Sequence, residues 1–197
     1  MVCGITPIQI LRCLRMSKVL IVIDAQNDFI TGSLRNQEAI KSLNTLHEVI
    51  TYMEQHGANL IYTMDTHFGD YFETQEGEWL PVSHCRINTN GWELADLAKP
   101  AYINTVTIIE KETFGYISWE NYMPEKAIDE IVIVGYNSNV CVVSNTLILK
   151  AIYPEIPITF ISDASAGTTP EAHSAACTVM NSCQIKVKSW KEYLEKK

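Results

Sequence analysis

Six short runs of β-branched and other apolar residues punctuate this chain, and none alternates cleanly with polar positions. They fall at Lys18–Asp24, Asn59–Asp65, Thr105–Lys111, Glu130–Tyr136, Pro157–Ser162 and Gln184–Lys188. A strand with one wet face reads apolar, polar, apolar; a strand covered on both faces reads as an unbroken apolar run. The segments between them carry a different period. Gln37–His56 spaces Ile40, Leu43, Leu46, Val49, Ile50 and Met53 three and four apart, and Gly57 follows as a stop. Val140–Ile152 is apolar almost all round, which predicts a buried helix. Pro170–Cys183 opens with proline after Thr169 as cap, and Ser189–Lys196 reads as a short terminal helix.

Alternating strands and helices predict an α/β fold of three layers, α-β-α, around a six-stranded, mostly parallel sheet. One long irregular segment, Thr66–Pro100, interrupts the alternation and contains Gly69, Gly77, Pro81 and Gly91. A loop of that length inside a compact domain is as a rule functional.

Three strand-like runs end on chemistry. The first ends at Asp24, the third at Lys111, and the fourth leads through Gly135 into a helix whose first turn carries Cys141. Reacting groups of open α/β sheets gather outside the carboxyl ends of the strands. If these strands are neighbours, a thiol, a carboxylate and an ammonium meet there: a nucleophile, a base and a charge stabiliser. The plainer account has Cys141 as a small buried hydrophobe and the two charges as solvated strand ends. A helix N-terminus and a nearby Lys111 favour thiolate over thiol, so an activated Cys141 is the expectation.

Composition narrows the class. A length of 197 residues suits one domain, expected over residues 16–197. Residues 1–15, basic and free of acidic side chains, read as a targeting segment, a native extension or an upstream start. A net charge of −8 disfavours a nucleic-acid role. No apolar run reaches the ~20 residues that cross a bilayer, so no membrane role is expected. The six cysteines include no C-x-x-C pair and the chain is too large to need staples, so a reduced, cytoplasmic protein is expected.

The segments Ile23-Asp24-Ala25-Gln26-Asn27-Asp28-Phe29, Glu110-Lys111-Glu112-Thr113-Phe114 and Gly135-Tyr136-Asn137-Ser138-Asn139-Val140-Cys141-Val142 resemble the isochorismatase-like cysteine hydrolases in order and spacing. The resemblance runs from about Lys18 to Val187. Within that superfamily, Met64-Asp65-Thr66-His67 followed by Leu80-Pro81-Val82-Ser83-His84-Cys85 is similar to the nicotinamidase metal-binding region. The resemblance implies catalysis by Asp24, Lys111 and Cys141 on a small-molecule amide, with nicotinamide the leading substrate. Another small amide or ureido compound is the alternative; a non-catalytic, ligand-binding member is the third reading. Isochorismate chemistry is least favoured, because a vinyl ether needs no nucleophilic thiol.

Asp65 and His67 share one face if the strand continues, and His84 can approach from across the loop. One carboxylate and two imidazoles suit zinc, with iron or manganese as alternatives. The resemblance adds Glu76, nine residues past His67, as a fourth ligand. It also implies an oxyanion hole from the backbone N–H groups of Asn137 and Cys141, with a cis peptide at Tyr136–Asn137. Phe29, Phe114 and Tyr136 are expected to contact substrate. The chain departs from the family at Asn137 and Ser138, and at Thr66, where a tryptophan is common; a wider or differently polar pocket is the consequence. Trp119 reads as core, His47 and His56 as surface or cap residues, and His173 as surface. Self-association into a homo-oligomer is expected from the family and from the apolar stretch Met1–Leu14.

Overall fold

The computed structural model describes residues 17–102, 106–125 and 127–195. In chain order the main elements are β1 (Ser17–Ile23), α1 (Asn27–Ile30), α2 (Gln37–Gln55), β2 (Asn59–Asp65), α3 (Gln75–Trp79), β3 (Thr107–Lys111) and β4 (Ile128–Tyr136). After β4 come α4 (Val143–Ile152), β5 (Ile158–Ala166), α5 (Pro170–Ser182), β6 (Lys186–Lys188) and α6 (Trp190–Leu194). The extension over residues 1–15 lies outside the described residues.

The six strands form one sheet in the order β3-β2-β1-β4-β5-β6. Every pairing is parallel. The unbroken apolar runs are explained by burial on both sides. On β1, Leu20 and Val22 face the core under α2, with Leu46, Val49, Ile50 and Met53; Val19, Ile21 and Ile23 face Val142, Leu149, Ala176 and Met180 of the helices opposite. The chain builds outward from β1 to β3, then returns to lay β4 against β1. That reversal opens a crevice at the carboxyl ends of β1 and β4, where open α/β sheets place their ligands. Gly135 sits at the closest approach of these two strands. Its φ is +124°, and a Cβ there would strike the backbone of Ile23.

Two elements differ from their expected bounds for a physical reason. β5 runs on to Ala166 instead of stopping at Ser162. Its register against β4 jumps from Ile133↔Phe160 to Gly135↔Ser165, so a bulge carries Ser162 and Asp163 through the strand. A polar pair mid-strand looks like a strand end in sequence. Here it has a use: Asp163 Oδ1 accepts the Trp190 N–H at 2.7 Å and fixes the start of α6. The helix expected from Val140 begins instead as a π-helical turn, Ser138–Val142, before α4. Its wide i→i+5 bond runs from the Val142 N–H to the Asn137 carbonyl (3.2 Å). Such turns recur at functional sites.

Candidate active site

The parallel register brings the strand-end residues together. Asp65 and Lys111 are register partners at the ends of β2 and β3. Asp24 follows β1 in a left-handed backbone conformation (φ +47°) and is fully buried. Thr63 donates its hydroxyl to Asp24 Oδ1 at 2.6 Å, and Lys111 Nζ lies 2.7 Å from Asp24 Oδ2. The same ammonium is 3.1 Å from Asp65 Oδ1 and 3.6 Å from Cys141 Sγ. One cation therefore touches both carboxylates and the thiol.

The electrostatics refine one expectation. Burial pushes the Cys141 thiol well above its ordinary range; Lys111 opposes this, while Asp24 and Asp65 add to it, and a hydrogen bond to Asp24 favours the protonated form. The thiol is thus held in its neutral form, so activation falls to Asp24 as base rather than to the helix terminus. Burial also raises Asp24, against the pull of Lys111. Burial would lower Lys111, but Asp24, Cys141 and Asp65 together raise it well above its usual range, so it stays an ammonium.

Asp65 also belongs to a second cluster beside this group. Asp65, His67, Glu76 and His84 each offer a ligand atom, all within 4.8 Å of one another. His67 Nε2 is 3.0 Å from Asp65 Oδ2 and 3.7 Å from Glu76 Oε1. His84 Nε2 is 3.5 Å from Asp65 Oδ2 and 3.6 Å from Glu76 Oε1. His84 Nδ1 bonds the Val82 carbonyl at 2.8 Å, which leaves Nε2 directed at the cluster. Burial lowers the His84 pKa, but hydrogen bonds to Asp65 and Glu76 outweigh it and raise it to about 10. Two carboxylates and two imidazoles aimed at one point, three of the four residues buried, suit a divalent transition ion.

A cavity of about 800 Å³ joins the two groups; Cys141, Asn137, Phe29, Phe114 and all four donors line it. Phe29 sets its ring edge-on to His84, centroids 5.8 Å apart. Tyr136 does not belong to the lining. It is fully buried in the core under α2, and its hydroxyl meets Ser42 Oγ at 2.8 Å and donates to the Ala39 carbonyl at 3.2 Å. As the last residue of β4 it points to the face opposite Cys141. The Tyr136–Asn137 peptide is cis. Trp119 is fully buried, as expected. His173 is not a free surface residue: it is half-buried, with Nδ1 2.9 Å from the hydroxyl of buried Ser138.

Several residues that hold this site were not singled out in the sequence. Gln26 is fully buried and clamps the metal-type loop to β1: its amide donates to the Asp65 and Trp92 carbonyls and accepts the Asp65 N–H, all at 2.8–2.9 Å. Asp28 accepts the Cys85 N–H at 2.8 Å, next to His84, and a Cβ at Gly91 would collide with its carboxylate. Asn145, also fully buried, ties the Cys141 carbonyl to the Phe114 carbonyl through one amide. Asn36 caps α2 through Oδ1, while its Nδ2 reaches Gly167 O (2.7 Å) and Asn137 Oδ1 (3.3 Å). Each is an ordinary polar residue whose role depends on a partner far away in sequence.

A sequence profile of the isochorismatase domain matches residues 18–192, nearly the whole described chain. The chain belongs to the isochorismatase family. The fold neighbours of this isochorismatase-family chain include hydrolases of amides. Nicotinamidase/pyrazinamidase PncA from Bacillus subtilis shares 25% identity over 88% of this chain and 100% of its own, with a TM-score of 0.78. The pyrazinamidase of Pyrococcus horikoshii, solved in complex with zinc, shares 25% identity over 88% of this chain and 99% of its own, with a TM-score of 0.75. N-carbamoylsarcosine amidase from Thermoplasma acidophilum, at 22% identity and a TM-score of 0.71 over 88% of this chain and 96% of its own, shares the fold. A search of curated protein sequences returned no match. Among the described residues no helix is long and apolar enough to cross a membrane.

Proposed function

We propose that the protein is a metal-assisted cysteine amidohydrolase that converts nicotinamide, or a close heteroaromatic carboxamide, to the acid and ammonia. The observation that carries this reading is the contact of Lys111 with Asp24, Asp65 and Cys141, with Cys141 and the four-donor cluster lining one cavity. The likeness to a nicotinamidase and to a zinc-bound pyrazinamidase supports it.

In this scheme Asp24 takes the thiol proton as Cys141 sulfur attacks the carboxamide carbon. The N–H groups of Asn137 and Cys141 receive the oxyanion. The C–N bond breaks, and the nitrogen leaves as ammonia with the proton Asp24 returns. Asp24 then draws a proton from water, whose oxygen attacks the thioester; the acid departs and Cys141 regains its proton. Throughout, the Lys111 ammonium balances whichever of Asp24 or Cys141 is negative. Asp65, His67, Glu76 and His84 would hold the ion, which when bound would accept the ring nitrogen and so aim the carboxamide at Cys141.

Stoichiometric metal is expected in protein purified without chelator, by elemental analysis. His67→Ala is expected to remove it and to lower nicotinamide turnover about 100-fold, the scale of a misplaced substrate. Benzamide, with no ring nitrogen, is expected to be poor in wild type and little changed in the variant. If no ion is found and chelation leaves nicotinamide turnover intact, the metal-assisted assignment fails.

Asn36 offers a finer test of the oxyanion loop. Asn36→Ala removes the α2 cap and the tether to Asn137; Asn36→Asp keeps a capping oxygen and removes the donor. Both variants are expected to lose about five- to tenfold in kcat with KM little changed, the loss of one neutral hydrogen bond. Only the alanine variant is expected to melt lower, by about 1 kcal/mol of cap. Equal kcat in wild type and Asn36→Asp removes the positioning role.

A further inference from the structure

We infer that the preferred substrate is a heteroaromatic carboxamide carrying a second, uncharged apolar ring, and that Trp79 and Thr66 set this preference. The inference rests on the amidohydrolase reading and names its substrate class more closely.

The cavity holds about 800 Å³, within the range of roughly 300–1,000 Å³ that takes drug-sized ligands. A single ring with its carboxamide leaves most of that space unfilled. The reacting and metal-type groups belong to the part of the wall described above, so the amide and the ring nitrogen are spent there. The remaining wall includes Leu34, Phe68, Trp79, Leu80 and Phe114. Three of these are large aromatics left open to solvent: Phe68 at 42%, Phe114 at 45% and Trp79 at 84% exposure. The same loop also exposes Phe72 and Val82. Exposed apolar side chains gathered at one cavity mark a binding surface, and flat aromatic faces suit another ring.

A small side chain stands on the same wall. Thr66, between Asp65 and His67, lines the cavity, and its hydroxyl is held by the Trp92 indole N–H at 2.9 Å. Charge argues against an anionic substituent, because Asp65, Asp70, Glu76 and Glu112 share the lining with a single arginine, Arg35.

The test compares nicotinamide with 5-phenylnicotinamide, whose added ring lies meta to both the nitrogen and the amide and blocks neither. Ammonia release by the metal-loaded wild type is expected to show kcat/KM about tenfold higher for the phenyl compound, mainly through KM. Trp79→Ala and, independently, Thr66→Trp are expected to shrink that ratio toward one. A wild-type ratio of one or below overturns the inference. So does a ratio unmoved by Trp79→Ala, since Trp79 would then not set the preference. If neither amide is hydrolysed, the proposed activity fails, and binding decides the inference separately. Cys141→Ala protein titrated with each compound, read by tryptophan fluorescence, supports it if the phenyl amide binds more tightly and overturns it if the two bind alike.

Discussion

Cys141→Ala is expected to lower amide turnover by about four orders of magnitude or more, the scale seen when a covalent nucleophile is removed. Folding and ligand binding are expected to survive, because the change removes one sulfur from a wall that Val140 and Asn137 continue to form. Cys141→Ser is expected to be nearly as inactive: an alcohol needs a stronger base than a carboxylate. Rapid-quench mass spectrometry of the wild type should catch an acyl group on Cys141. Full activity in the alanine variant would remove the nucleophile assignment. The pH profile follows from the resting state. Attack requires ionised Asp24, whose pKa burial raises. The acid limb of kcat/KM is therefore expected above the ordinary aspartate range near ~4, with activity lost as pH falls through it. A thiolate mechanism would instead show its limb where Cys141 titrates, on the alkaline side.

Lys111→Ala is expected to be the most destabilising single change at the site, by about 3–5 kcal/mol. Asp24 is fully buried and Asp65 nearly so, and this ammonium touches both. Without it each carboxylate keeps its desolvation cost and loses its counter-charge. For a chain of this size the loss corresponds to a fall in Tm of about 10 °C. Two controls separate charge from packing. Adding Asp24→Asn to Lys111→Ala is expected to restore part of the stability, a non-additivity proper to neighbours. Acid should also help the single variant. Asp24, already raised by burial and now without its counter-charge, titrates above its unfolded value, so the folded state binds more protons, and the stability present at low pH is lost as pH rises through the raised pKa. Melting curves at pH 5 and pH 7.5 read this directly; a single variant no more stable at pH 5 would show that packing dominates.

The parts of this site that sequence revealed are those where a residue contradicts its surroundings. Asp24 and Lys111 end apolar runs, Cys141 opens a helix after one, and Asp65, His67 and His84 open or stand in a loop too long to be idle; Glu76 came only through the family resemblance. The fold was legible for the same reason, since strands buried on both faces leave unbroken apolar runs. Three shortfalls share a cause: local sequence does not state what stands across the gap. Tyr136 was expected to contact substrate, yet strand alternation turns it to the other face. The pull of the helix terminus and Lys111 on Cys141 was legible, but the opposing burial and the second carboxylate, Asp65, come only with the fold. Ser162 and Asp163 read as the end of β5 because the bulge that admits them exists only against β4. Gln26, Asp28, Asn36 and Asn145 escaped notice because nothing about an amide or a short carboxylate announces a distant partner.

The return of the chain from β3 to β4 also governs how the protein must assemble. β1 is made first yet lies in the middle of the sheet, and its second neighbour arrives late: Ser17 reaches Ala127, 110 residues further on. Until then a nascent chain holding β1, β2 and β3 presents one long apolar strand edge with no partner, the kind of edge that pairs with other chains. Closing so long a loop costs entropy before any contact repays it, so folding is expected to be slow for the protein's size. Truncation anywhere before Tyr136 should therefore yield aggregates rather than a smaller folded unit, and refolding yield should fall steeply with concentration.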